Sequence, residues 1–423
     1  MVFYFFIFIF LLISYNSYEL FEDYYNEAEK YLNKLTLEQK IGQIFFSEFD
    51  STKDYTEYPD ITPGGYVLFS NAFNFEEKYI KENIKKIQKE SIKKTGLPLG
   101  LSVDEEGGLV NRVSNYFRHE PFPSPQEIYN KSGIRGILKI DKEKRDLLKK
   151  FYINVNLAPV ADISLNSKDI MYTRTIARNA NDTSKYISKD VEGYVNDSFT
   201  CCLKHFPGYG NTSDTHVGRG WDDRGYEIFL TQDFLPFIAG IEQKAPMILI
   251  SHNIVKCKDI EYPASLSETW HKILRNDLNF TGLIITDDLV MKAISNFYDK
   301  ETAAILGVKA GNDILITGYY KEQYNAVLKA VQNGNISEDI INTAVKRIIA
   351  WKLKYISIND FIDDNQEETS DNTTLIVVLC VIGGLLIIGV IVVLIIFYKK
   401  KKNKGNNDNN NKDNKIALVN YAE

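Results

Sequence analysis

From Ile41 to about Lys354 the chain alternates between short runs of consecutive apolar residues and longer stretches whose apolar positions recur three or four apart. The short runs are IGQIFF (41–46), GYVLF (65–69), LGLSV (99–103), INVNLAP (153–159), FTCCLKHF (199–206), PMILIS (246–251), GLIITD (282–287) and DILIT (313–317). Nearly unbroken apolar runs suit strands buried on both faces. The stretches between them suit amphipathic helices: EEKYIKENIKKIQKESIKK (76–94), DKEKRDLLKKFY (141–152), TSKYISKDVEGYVND (183–197) and KEQYNAVLKAVQNG (321–334), the last with Gly334 as its C-cap. Eight strand-helix repeats predict an α/β fold, a parallel sheet closed into a single (β/α)8 TIM barrel. A doubly wound open sheet is the alternative, but no Gly-rich dinucleotide turn follows the first strand.

A barrel of this kind gathers its functional groups at the carboxyl ends of its strands. Asp104 and Glu105 end the third strand, Asp162 follows the fourth, Lys204 and His205 end the fifth, His252 ends the sixth, and Asp287 with Asp288 ends the seventh. The opposite strand ends show no matching set of charged residues.

Both termini depart from the alternation. MVFYFFIFIFLLISYNS is an apolar run that turns polar near Ser14 to Ser17, which predicts a signal peptide over residues 1–18, with an uncleaved anchor as the alternative. Thr374 to Phe397 carries no charge and exceeds the ~20 helical residues that a bilayer core needs. Lys399, Lys400, Lys401, Lys402 and Lys404 follow it, the cationic flank that stays cytosolic under the positive-inside bias. The expected arrangement is a single-pass type I membrane protein. Residues 19–360 form the barrel, outside the cell or in an organelle lumen; 361–373 form a stem, 374–397 the membrane helix, and 398–423 a disordered Asn/Lys-rich cytosolic tail.

The net charge of −6 is mild, and no cationic cluster lies outside the juxtamembrane run, so nucleic acid is not an expected partner. Cys380 falls in the apolar stretch, Cys201 and Cys202 are adjacent in a strand, and Cys257 stands alone, which is neither a disulfide framework nor a zinc spacing. Sequons at Asn130, Asn181, Asn196, Asn211, Asn279 and Asn335 are available for N-glycosylation in a lumen. Nothing in the pattern fixes an oligomeric state.

Three segments carry chemistry. In KHFPGYGNTSDTH (204–216) a cation and an imidazole end a strand, and the loop beyond holds Asp214 two residues before His216. An aspartate that binds one imidazole nitrogen leaves the other to give and take a proton near neutral pH. In LIITDDLVMKAI (283–294) an apolar strand drives Asp287 to the barrel mouth, where a carboxylate can attack an anomeric carbon; Asp288 reads as the N-cap of the next helix and Met291 as packing beneath the site. In PLGLSVDEEGGLVNRV (98–113) Asp104 ends a strand beside a Gly-Gly turn, suited to sugar hydroxyls or, alternatively, to a salt bridge with Arg112 that props the loop. Lys204, His205 and Arg174 are further candidates for binding hydroxyls.

Five segments, LTLEQKIGQIFF (35–46), LSVDEEGGLVNRV (101–113), NVNLAPVADI (154–163), KHFPGYGNTSDTH (204–216) and ITDDLVMKAI (285–294), together resemble the glycoside hydrolase family 3 β-N-acetylglucosaminidases in order and content. The resemblance implies a retaining exo-glycosidase that releases terminal β-linked N-acetylglucosamine from glycans, peptidoglycan fragments or chitooligosaccharides. It implies Asp287 as nucleophile, His216 as acid-base group and Asp214 as its orienting partner, with Asp104, Lys204, His205 and Arg174 on the sugar hydroxyls and no metal or cofactor. Three features depart from the family pattern: Tyr209 stands where a His is frequent, the loop before Asp214 is one residue shorter, and YTRTIARNA follows the usual Arg segment only loosely. A β-glycosidase for another sugar and an inactive carbohydrate-binding surface protein are the rival expectations, and the choice between water and phosphate as acceptor stays open. A glycan at Asn211 would obstruct the site, so that sequon is expected to be unmodified.

Overall fold

The computed structural model describes residues 19–49, 62–362, 394–396 and 399. The expected signal segment, nearly all of the 374–397 stretch and the tail lie outside them. Among the described residues no helix is long and apolar enough to cross a membrane.

The eight expected strands are all present: β1 Phe45–Glu48, β2 Gly65–Val67, β3 Gly100–Val103, β4 Val155–Asn156, β5 Thr200–Phe206, β6 Met247–Ile250, β7 Leu283–Thr286 and β8 Leu315–Thr317. They pair in parallel from β8 through β1 and in chain order to β7. A parallel bridge between Ile285 and Ile314 joins the two remaining edges, so the sheet is a nearly closed barrel with helices outside it, consistent with a (β/α)8 fold.

Strand alternation decides what reaches the mouth. Cys202, Met247, Leu249, Leu283 and Ile285 belong to one buried cluster, whereas Cys201, Leu203, Ile248, Ile250 and Ile284 belong to another that packs under the helices. A period of two therefore carries Lys204, in step with Cys202, and Asp287, in step with Ile285, to the open end of the barrel. Ser102 and Asp104 stand in the same relation on β3, where Leu101 and Val103 face the helices.

The sequence reading needs four corrections. The run 41–46 is not one strand: Thr36 caps a helix over Leu37–Gln43 in a reciprocal capping box with Gln39, and β1 begins only at Phe45. The fourth strand is regular over two residues only; beyond it Ala158 and Pro159 still accept from the Cys202 and Lys204 N–H groups, and a further bridge joins Val160 to Lys204. The pattern at 141–152 is the last part of a longer helix, Pro125–Lys150, broken at Gly133 where φ is +61°.

The amino ends of the strands, finally, are not free of charge. Buried Asp313, just before β8, accepts from Arg275 at 2.6 Å, from the Ile284 N–H at 2.8 Å and from Arg347. At the same end a Cβ on Gly100 would lie 2.3 Å from the Phe46 ring and 2.9 Å from Trp351, so only glycine admits the two large rings that plug the barrel there.

Candidate active site

Asp104, Glu106, Arg174 and Lys204 form one ion network at the barrel mouth. Lys204 Nζ lies 2.6 Å from Asp104 Oδ1 and 2.6 Å from Glu106 Oε1, and Arg174 grips Glu106 with two hydrogen bonds of 2.7 and 2.9 Å. Burial alone would raise the Glu106 pKa, but Arg174 and Lys204 hold it well below the usual carboxylate range. Burial likewise disfavours the Lys204 charge, and Asp104 and Glu106 outweigh it, so the amine stays protonated.

The supposed brace between Asp104 and Arg112 is long, at 3.9 Å. Glu105 holds that loop instead, accepting the N–H groups of Arg112, Val113 and Ser114 at 2.8, 2.8 and 3.2 Å. Asp104 is thus fixed by Lys204 and keeps part of its carboxylate open to the cavity.

His205 donates from Nδ1 to Asp162 Oδ2 at 2.6 Å, since a carboxylate can only accept, which leaves Nε2 turned toward Arg174 Nη2 at 3.4 Å. The other Asp162 oxygen accepts the Tyr209 N–H at 2.7 Å. From there the chain runs into the loop that bears Asp214 and His216. Gly210, at φ +57°, lies against the Arg224 guanidinium, where a Cβ would approach to 2.5 Å, and Arg224 in turn binds Asp222 and Asp233. Two residues of the loop's far end, Trp221–Asp222, pair in parallel with Ile254–Val255 beyond β6.

His216 Nδ1 donates to Asp214 Oδ1 at 2.7 Å, and its backbone N–H binds the same oxygen at 2.9 Å. Nε2 is therefore the free nitrogen of a side chain that is 64% exposed. Tyr209 is buried beneath this pair, its phenol pushed up to about 12, first by burial.

Asp287 and Asp288 are adjacent carboxyls with opposite environments. For Asp287, burial favours the protonated form but is outweighed by His252, His205, the Asp288 N–H at 2.9 Å and Lys204, so its pKa falls below the usual value. His252 is itself pushed below its usual pKa by burial, and it donates from Nε2 to the Asp288 carbonyl at 2.9 Å while Nδ1 meets the Ser265 hydroxyl at 2.7 Å. At neutral pH the His252 ring is thus uncharged, and the Lys204 cation and the Asp288 N–H act on Asp287 in its place. Asp288 is raised well above its usual pKa by burial and by a hydrogen bond with Glu48, the opposite direction to Asp287. It is not the N-cap of the next helix; its carboxyl accepts from the Val290 N–H at 3.1 Å, and Met291 occupies the cap position.

Asp104, Arg174, Lys204, His205, His216 and Asp287 all line one cavity of about 450 Å³, with Leu157, Leu249 and Ile316 in its wall. Asp214 stands behind His216. Met291 is buried and also lines the cavity. Sequence reasoning missed two contributors, Glu106 and Glu48, and named Arg112 only as a brace for Asp104; all three line the same space. Among the described residues no group of three or more His, Cys, Asp or Glu side chains is arranged to hold a metal ion.

Comparison with known proteins gives the family. Residues 36–351 match the description "Glycosyl hydrolase family 3 N terminal domain". A protein named beta-hexosaminidase from Idiomarina loihiensis is 32% identical over 262 residues, 60% of this chain and 75% of that one. Another of that name, from Actinobacillus pleuropneumoniae, is 31% identical over 273 residues, 62% of this chain and 74% of that one. Among solved structures, a family 3 beta-N-acetylglucosaminidase from a Paenibacillus species superposes with a TM-score of 0.69 at 27% identity, covering 76% of this chain and 63% of that longer one.

Proposed function

The chain belongs to glycosyl hydrolase family 3, and from that premise we propose that it is an exo-acting, retaining β-N-acetylglucosaminidase. The observation that carries the reading is the shared cavity: an ionised carboxylate, Asp287, and an imidazole with a free nitrogen, His216, line the space in which a sugar must sit. Asp287 attacks the anomeric carbon and forms a covalent glycosyl-enzyme while His216 protonates the departing oxygen. His216 then takes a proton from water, which releases the sugar with its configuration retained. Asp214 binds Nδ1 and stabilises the imidazolium that gives up its proton in the first step and re-forms in the second. Asp104, Lys204, His205 and Arg174 hold the sugar hydroxyls; the Asp104–Lys204 pair, the grip of Glu106 on Arg174 and that of Asp162 on His205 fix them before substrate arrives.

Burial and Glu48 raise the Asp288 pKa while that of Asp287 is lowered, so Asp287 is the more readily ionised of the two, which supports the choice between them. The names of the relatives support the 2-acetamido sugar over glucose. The apolar stretch Thr374 to Phe397 and the lysines after it support a membrane anchor, with the barrel on the exoplasmic side.

Initial rates on aryl β-N-acetylglucosaminide and aryl β-glucoside, in membranes of cells that express the full chain, test both parts. Turnover of the acetamido substrate alone, sedimenting with the membranes and abolished by Asp287→Ala, is the expected result. Preferential glucoside turnover would change the sugar, silence on both would indicate a binding protein, and activity that stays in the supernatant would remove the anchor.

A further inference from the structure

We propose that Tyr209 is a positioning residue for the acid-base group: its hydroxyl is the post on which the Asp214–His216 segment is held. The inference rests on the reading of His216 as the acid-base group.

His216 has little to hold it. Its side chain is mostly exposed, and among the described residues its only hydrogen-bond partner is Asp214, which sits on the same loop. Where the pair stands is therefore decided by the backbone of the residue between them. Thr215 is 1% exposed, and the Tyr209 hydroxyl accepts its N–H at 3.0 Å and hydrogen-bonds its Oγ1 at 2.8 Å. The Thr215 carbonyl, in turn, accepts the Ala293 N–H at 3.1 Å, from the segment that follows Asp287.

Tyr209 is anchored at its own end as well. Its N–H binds Asp162, the carboxylate that orients His205, and its ring meets the His205 ring edge-on at 5.5 Å. One buried side chain thus links the sugar-binding histidine to the proton-transfer histidine. The phenol suits this role because it stays protonated across the physiological range and can both accept and donate. Phenylalanine would fill the same volume and lose both hydrogen bonds to Thr215.

Leaving-group dependence separates positioning from mere packing. A dinitrophenolate departs without a proton, whereas a phenolate or sugar alkoxide needs one from His216, so a displaced His216 harms only the second kind of substrate. In purified Tyr209→Phe, kcat/KM for phenyl β-N-acetylglucosaminide is expected to fall roughly tenfold to a hundredfold. For the dinitrophenyl analogue it is expected to stay within about threefold, because proton transfer is not needed there. Thr215→Val, which keeps the N–H bond and loses the hydroxyl bond, is expected to show a smaller loss with the same selectivity.

Equal losses on both substrates, or no loss on either, in Tyr209→Phe would overturn the proposal while leaving the enzyme's assignment intact. Silence of the unaltered enzyme on both substrates would remove that assignment, and this proposal with it.

Discussion

Glu106 is the residue on which the sugar-binding network depends. It is buried against two cations, Arg174 and Lys204, and shares Lys204 with the less buried Asp104. Glu106→Gln leaves two charges in low dielectric with half their compensation, a change that typically costs about 3 kcal/mol or more. Chemical denaturation should show that loss, together with weaker substrate binding; an unchanged midpoint and unchanged KM would show that the network is not held by this charge.

The sequence pointed to Asp104, Lys204, His205 and Asp287 because each stands at or just past the end of an apolar run, and to His216 through its spacing from Asp214 in the loop beyond such a run. Glu106 escaped because its partner Arg174 lies 68 residues away and no local pattern reports such a contact. Tyr209 stood out only as a departure from a family pattern; what it does depends on a bond to Thr215 that only the folded loop reveals.

At the scale of elements, alternation of apolar runs and amphipathic stretches was enough to find all eight strands, because parallel strands covered on both faces leave an unmistakable pattern. Their limits were less legible. Ile41 and Ile44 are as buried as any strand residue, yet they belong to a capped helix and its end, and setting the first strand four residues early hid Glu48 at the true carboxyl end of β1.

The helix over Glu338–Tyr355 shows what the pattern also conceals, a charged residue on a buried face. Its Lys352 donates to Gln43 Oε1 at 2.7 Å and to the Gly64 carbonyl at 2.8 Å, and burial lowers its pKa to about 7. Two acceptors match the two N–H bonds of a neutral amine. In the unfolded chain this lysine titrates near its ordinary value of about 10.4, so between the two values the unfolded state binds more protons. Stability should therefore rise with pH across that window, by up to about 1.4 kcal/mol per unit, and be insensitive to this group below it. Thermal unfolding of Lys352→Met over the same window should show a flatter dependence than the unaltered protein; an identical slope would mean that the lysine stays charged in the fold.

On the scale of the whole molecule, the barrel brings residues on or just past all eight strands into one cavity, and the family match over residues 36–351 spans nearly all of the described barrel. Charge is distributed unequally between its two ends. The mouth carries the network that meets substrate, and the base carries Asp313 with Arg275 and Arg347, which closes the seam between β7 and β8. The sequence could not assign that second cluster, because its three members come from separate parts of the chain.

The central claim is that Asp287 forms a covalent bond to the sugar. The most direct measurement is peptide mass spectrometry after reaction with a slow, fluorinated N-acetylglucosaminyl substrate that lets the intermediate accumulate. The account predicts one sugar residue attached to Asp287 and no labelling of Asp288. A label on another residue, or turnover with retained configuration and no labelled protein at all, would contradict it.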